Sequence, residues 1–183
     1  MFKKNKIFII AEAGVNHNGS LKIAKNLVKC AAIAGANAIK FQTFDAKELV
    51  SRDAKKMSHQ AKASKRLSQL ELLKKLELSY KDHIVLKKYC KKLKIEFMST
   101  AFDLKSLELL DKLNVKKFKI PSSELNNLVY LKKIAGFKKD VILSTGMGYL
   151  SEVKKALNIL TKNGLKKKTN YFITLHFSIS GRL

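Results

Sequence analysis

Six short β-rich runs, each separated from the next by a stretch of helical periodicity, constrain this chain more than any other feature. Residues 7–14, 38–43, 95–99, 117–121, 141–145 and 171–177 read as strands. Ser20 caps a helix running to about residue 34, and helical spacing recurs over 80–93, 104–113, 128–135 and 152–162. Residues 44–79 form a longer polar excursion with helical stretches such as 68–76. Strands that alternate with helices in this way pair in parallel, because a parallel partner needs a crossover of about a dozen residues or more.

Two architectures fit that order, a doubly wound sheet and a (β/α)8 barrel. A nucleotide-binding sheet carries a Gly-rich turn after its first strand, and Gly14-Val15-Asn16-His17-Asn18-Gly19 is not G-x-G-x-x-G. The polar residues favour the barrel. Each of the first five strands ends in hydrogen-bonding or reactive side chains: Glu12; Lys40 and Gln42; Ser99 and Thr100; Lys119, Ser122 and Glu124; Ser144 and Thr145. In a barrel those strand ends converge on one mouth, the usual place of an active site. The expected fold is therefore a (β/α)8 TIM-type barrel, truncated after about the sixth strand.

Composition supports one globular unit. Apolar residues make up 46% of the 183 and there is a single Pro, with no linker or low-complexity segment, so residues 1–183 are expected to form one partial barrel domain. No apolar run reaches the ~20 residues of a membrane span. The basic start, Lys3, Lys4 and Lys6 before an apolar run, faintly resembles a secretory signal, but Glu12 interrupts it, and a cytoplasmic location is expected. Cys30 and Cys90 sit in helical patterns and are expected to be reduced packing residues. The net charge is +24, yet only three of the 38 basic residues are Arg. The lysines are scattered over nearly every helix without aromatic interleaving, which argues for solvated helix faces rather than a nucleic-acid groove.

Lys40 and Lys119 carry the most chemical information. Each lies in a run otherwise fit for burial, Ala38-Ile39-Lys40-Phe41 and Phe118-Lys119-Ile120-Pro121. Desolvating an ammonium group costs several kcal/mol, so lysine is rarely buried without a partner. An exposed edge strand is the competing explanation for either lysine alone, and it suits Lys116 and Lys117. Two such lysines on different strands, with hydroxyls on others, are better explained by a shared anion. Glu12 and Glu124 add carboxylates at the same rim, fit for proton transfer or for holding the lysines in place. Glu124 precedes a helix and could simply favour its N-terminus. His17, in the loop beside the mouth, could bind substrate or stabilise the turn. His59 and His83 read as surface residues, and His176 lies on the last strand. None of the four has a partner at metal-ligand spacing.

These segments resemble the motifs of the sialic acid synthase family. Ile10-Ala11-Glu12-Ala13-Gly14-Val15-Asn16-His17-Asn18-Gly19-Ser20 is similar to its opening signature, and Lys40-Phe41-Gln42-Thr43 to its second-strand motif. Phe118-Lys119-Ile120-Pro121-Ser122 with Glu124 is similar to its fourth, and Leu143-Ser144-Thr145-Gly146-Met147 to its fifth. The wording is nearer to N-acetylneuraminate and legionaminate synthases than to pseudaminate synthases. The resemblance implies a transferase that condenses phosphoenolpyruvate with an N-acetylated hexosamine, giving a nine-carbon 2-keto sugar acid and inorganic phosphate. Lys40, Thr100, Lys119, Ser122 and Ser144 would hold phosphoenolpyruvate. Glu12, Gln42 and Glu124 would serve the reacting carbon, its water or the sugar. A divalent metal, Mn or Mg, is implied as well, along with small-molecule substrates and neither nucleic acid nor membrane as partners.

The departures from the family pattern shape a further expectation. Ala101 follows Ser99-Thr100 where the family has Pro, Ser123 replaces a usual Gly, and the stretch after His176 diverges. The family's two metal-binding histidines, strands seven and eight and the C-terminal antifreeze-like domain would lie downstream, so no metal ligand is assigned here. Without that domain the family-type homodimer is in doubt. A six-stranded remnant would leave two unpaired edges. The enzyme is thus expected to be inactive alone, with a non-catalytic or phosphoenolpyruvate-binding remnant as the alternative and a basic nucleic-acid-binding protein the weaker one.

Overall fold

The computed structural model describes residues 7–50, 68–146, 148–165 and 172–174. His59, His176 and Met147 lie outside them. The chain divides into two compact units, Met1–Leu109 and Leu110–Leu183, with the division falling inside a helix.

In the first unit, β1 (Ile10–Gly14), β2 (Ala38–Thr43) and β3 (Glu96–Ala101) form a parallel sheet in chain order. Helices α1 (Leu21–Ile33), α2 (Ala46–Leu49), α3 (Gln69–Leu76) and α4 (Tyr80–Lys92) lie between the strands in sequence. Ser20 caps α1 by accepting from the Ile23 amide, as expected, and Ala24, Val28 and Ala31 form its buried stripe. Ser68 with Glu71, and Ser79 with Asp82, close capping boxes at α3 and α4. The sheet is buried on the side of Ile39, Phe41 and Phe97, where Phe41 and Phe97 stack with centroids 5.7 Å apart.

The second unit carries β4 (Lys117–Ile120), β5 (Asp140–Ser144) and β6 (Phe172–Thr174), again parallel and in chain order. Helices α6 (Leu128–Gly136) and α7 (Leu150–Lys162) belong to it, while α5 (Leu104–Lys112) spans the division. A 3-10 turn, Ser122–Glu124, follows β4. Phe118, Ile120, Val141 and Leu143 supply one fully buried strand face, and Tyr130, Leu131, Ile134 and Ala135 of α6 and Val153, Ala156 and Leu160 of α7 are buried helix residues.

The alternating α/β order and the parallel pairing agree with the sequence reading. Two cases need correction. Cys30 is exposed, because the buried stripe of α1 passes through Val28 and Ala31 and leaves position 30 facing water. Cys90 is buried, and desolvation pushes its thiol up to about 12. His83 is buried too, 1% exposed, on the face of α4 that also holds Leu86 and Cys90. Among the described residues no helix is long and apolar enough to cross a membrane.

Candidate functional site

Parallel register decides which side chains share a face, since residues alternate sides along a strand. Glu12 lies beside Lys40, Lys40 beside Met98, and Gln42 beside Thr100. These five therefore share one side of the first sheet. The Lys40 ammonium meets a Glu12 carboxylate oxygen at 2.5 Å and donates to Thr100 Oγ1 at 3.3 Å. The lysine side chain is only 13% exposed and Glu12 is 53% exposed, so the pair is buried at its cationic end. Lys40, flanked in β2 by Ile39 and Phe41, is held here by one carboxylate and one hydroxyl.

A bulge aims Glu12. The β1–β2 register slips between Glu12 and Gly14, and Gly14 takes a φ of +52°. A Cβ at Gly14 would sit 3.4 Å from Glu12 Oε1 and 3.7 Å from Gln42 Nε2. Glycine here serves both the left-handed backbone and the room that the two side chains use. Glu12, Lys40, Gln42 and Thr100 are thus brought together within the first unit.

The second unit has its own cluster. Lys119 donates to Ser144 Oγ at 2.5 Å across β4–β5 and to the Ile120 carbonyl at 3.0 Å. Ser122 opens the 3-10 turn after β4 and is half-buried. Glu124 accepts from Asn127 Nδ2 at 2.7 Å, while Asn127 Oδ1 caps α6 by accepting from the Tyr130 amide at 3.1 Å. This is the helix-terminus role that the sequence left open for Glu124.

His17 is fully buried, and its Nδ1 accepts from the Gly19 amide at 3.0 Å, so it stabilises the turn between β1 and α1. Burial, then the neighbouring His83, hold its imidazole below the ordinary range. Its Nε2 is buried and has no hydrogen-bond partner among the described residues. Ser99 lies on the opposite side of β3 from Thr100. Its hydroxyl is 2.6 Å from Thr43 Oγ1, and Thr43 Oγ1 is 2.8 Å from His83 Nε2. Sequence reading missed this arrangement, although the spacing of 83, 86 and 90 on α4 was the available signal.

The divalent metal implied by resemblance finds no group of three or more His, Cys, Asp or Glu among the described residues. No chemical step is assigned to it. What the two clusters offer is positive charge with adjacent hydroxyls, which suits a phosphate or carboxylate, and a carboxylate beside one of the cations.

The chain is similar to several known proteins. An N,N'-diacetyllegionaminic acid synthase of Campylobacter jejuni is 53% identical over 164 residues, covering 89% of this chain and 49% of the relative. A synthase of the same name from Legionella pneumophila is 46% identical over 170 residues, covering 92% and 48%. The chain thus spans about half the length of the curated relatives it matches. The crystal structure of an N-acetylneuraminic acid synthetase from Leptospira borgpetersenii superposes with a TM-score of 0.78 at 34% identity, over 92% of this chain and 53% of that one. Residues 27–178 match the NeuB family, and the chain belongs to that family.

Proposed function

We propose that this chain forms the phosphoenolpyruvate-holding part of a synthase that condenses phosphoenolpyruvate with an N-acetylated hexosamine. The six strands would then belong to a (β/α)8 barrel. One carbon–carbon bond forms between the methylene carbon of phosphoenolpyruvate and the sugar aldehyde carbon. Water adds to the enol carbon, inorganic phosphate leaves, and a nine-carbon 2-keto acid results. Lys40, Thr100, Lys119, Ser122 and Ser144 hold the phosphate and carboxylate. Glu12, Gln42 and Glu124 serve the reacting carbon, its water or the sugar. The names of the Campylobacter and Legionella relatives favour a legionaminic-type product.

The observation that carries the reading is the 13% exposed Lys40 held between Glu12 and Thr100 on a strand whose Ala38, Ile39, Phe41 and Thr43 are buried. A stability role alone does not explain it, because an apolar residue there would avoid the desolvation cost. An anion recovers that cost by replacing the hydration the ammonium has lost.

Thermal melts test this. Phosphoenolpyruvate, sulfate and a short DNA duplex are each titrated against wild type and Lys119→Ala at near-physiological salt. Saturable protection by phosphoenolpyruvate is expected, amounting to ~2.7 kcal/mol at a hundredfold excess over Kd, and it should vanish in Lys119→Ala. Equal protection by all three ligands, unchanged in the variant, would mean a generic basic surface and overturn the reading.

A further inference from the structure

The buried hydroxyl pair behind β2 and β3 has a direction, and the direction is set from one end. His83 Nδ1 is 2.8 Å from the Ser79 carbonyl, which can only accept, so Nδ1 carries the proton. The ring lies in a desolvated setting, edge-on to Phe97 with centroids 6.2 Å apart, which favours the neutral imidazole. Nε2 is then a bare acceptor. Thr43 must donate to it, and Ser99 must donate to Thr43 Oγ1. The residues concerned are 4% exposed at Thr43 and fully buried at Ser99.

These links tie the C-terminal ends of two neighbouring strands to the first turn of α4. Thr43 ends β2 and Ser99 lies two residues before the end of β3. Gln42 and Thr100, each adjacent to one of them in sequence, face the other side with Lys40. A strand end can shift or twist unless something holds it, and a displacement of about 1 Å at a binding constellation is costly. The N-cap at Ser79 is itself fixed by the capping box with Asp82. The fixed end of a helix is thereby coupled to the strand ends that carry the site.

We propose that His83 and Thr43 are positioning residues: the relay Ser99–Thr43–His83 pins the ends of β2 and β3 from the helix side, so that Lys40, Gln42 and Thr100 are presented together on the other. This rests on the proposed function only for what the presented groups bind. The pinning itself concerns the fold alone.

The test uses the full 183-residue chain as wild type, Thr43→Val, Thr43→Ser and Ser99→Ala. Nitrogen NMR of His83 should show a protonated Nδ1 and an unprotonated, hydrogen-bonded Nε2. Amide exchange at residues 40–43 and 98–101 should quicken about tenfold in Thr43→Val, by the worth of one buried hydrogen bond. Thr43→Ser, which keeps the hydroxyl, should restore it to within about threefold, and the affinity for phosphoenolpyruvate should follow the same order. Ser99→Ala gives the same exchange reading should Thr43→Val fail to fold. A protonated Nε2, or exchange that rises equally over the whole first unit, overturns the proposal. If wild type shows no saturable response to phosphoenolpyruvate, the proposed function falls, while the nitrogen and exchange readings still decide the pinning.

Discussion

Lys40 and Glu12 form an asymmetric pair, and the asymmetry sets what each substitution does. The ammonium is 13% exposed and the carboxylate 53%, so water can re-solvate an orphaned Glu12 but not an orphaned Lys40. Lys40→Met should therefore leave stability unchanged or raise it by ~1 kcal/mol, while abolishing protection by phosphoenolpyruvate. Glu12→Ala should instead lower stability by ~1–3 kcal/mol, read from urea unfolding. Burial also holds His17 and His83 below their ordinary value of 6.5, although the Ser79 carbonyl and Asp82 oppose the shift at His83. A depressed histidine binds its proton more readily in the unfolded chain. Its contribution is full above pH 6.5 and is lost as the pH falls below that value, by up to ~1.4 kcal/mol per pH unit for each ring. Unfolding followed from pH 7.5 to about 5.5 should show that slope, and His83→Gln should reduce it to the part that His17 supplies. That Lys40 and Lys119 would have partners was legible in sequence, because a charge in a strand fit for burial is an anomaly that demands one. His83 was not, since a polar residue on an amphipathic helix reads as solvent-facing unless its position relative to Leu86 and Cys90 is weighed.

Four of the turns that follow a helix and lead to the next strand share one device. The amides of Ala36, Ile95, Val115 and Leu165 each reach back five residues, to the carbonyls of Ala31, Cys90, Leu110 and Leu160. The residue before each one is left-handed: Gly35, Lys94, Asn114 and Gly164. Gly35 and Gly19 then form a matched pair of tests. Both have positive φ, but among the described residues a Cβ at Gly35 meets nothing within 4 Å, whereas one at Gly19 would lie 2.1 Å from the Lys75 carbonyl oxygen. Gly35→Ala should cost ~1 kcal/mol of backbone strain. Gly19→Ala adds a clash with rigid backbone and should cost ~3 kcal/mol or more, as thermal melts of the two would show. The sequence pattern located these turns but placed strand ends a few residues off. Residues 7–9 have strand-like composition, yet Ile7 and Ile9 are 84% and 55% exposed and β1 starts at Ile10. Strand β3 runs on to Ala101 because its pairing with β2 continues to Thr43.

For the molecule as a whole, a net charge of +24 on 183 residues sets a background of self-repulsion. Stability should rise with sodium chloride from ~0.02 to ~0.3 M as the screening length shortens, and a melting temperature that falls over that range would contradict this. The parallel α/β order was legible from periodicity because each strand and helix declares its own buried face. The polar excursion was less legible: its helical stretch at 68–76 is α3, while the one-turn α2 is too short to show a period. Every observed pairing joins strands that are consecutive in the chain, which bears on the timing of folding. Lys117 meets Asp140 across a short segment, and Ala38 meets Glu96 across one about two and a half times as long. Closing the longer loop costs ~0.8 kcal/mol more in chain entropy. During synthesis on the ribosome, the β1–β2 ribbon thus has to wait, half-covered, through the whole polar excursion before β3 emerges to seal it, whereas β5 reaches β4 after one short helix.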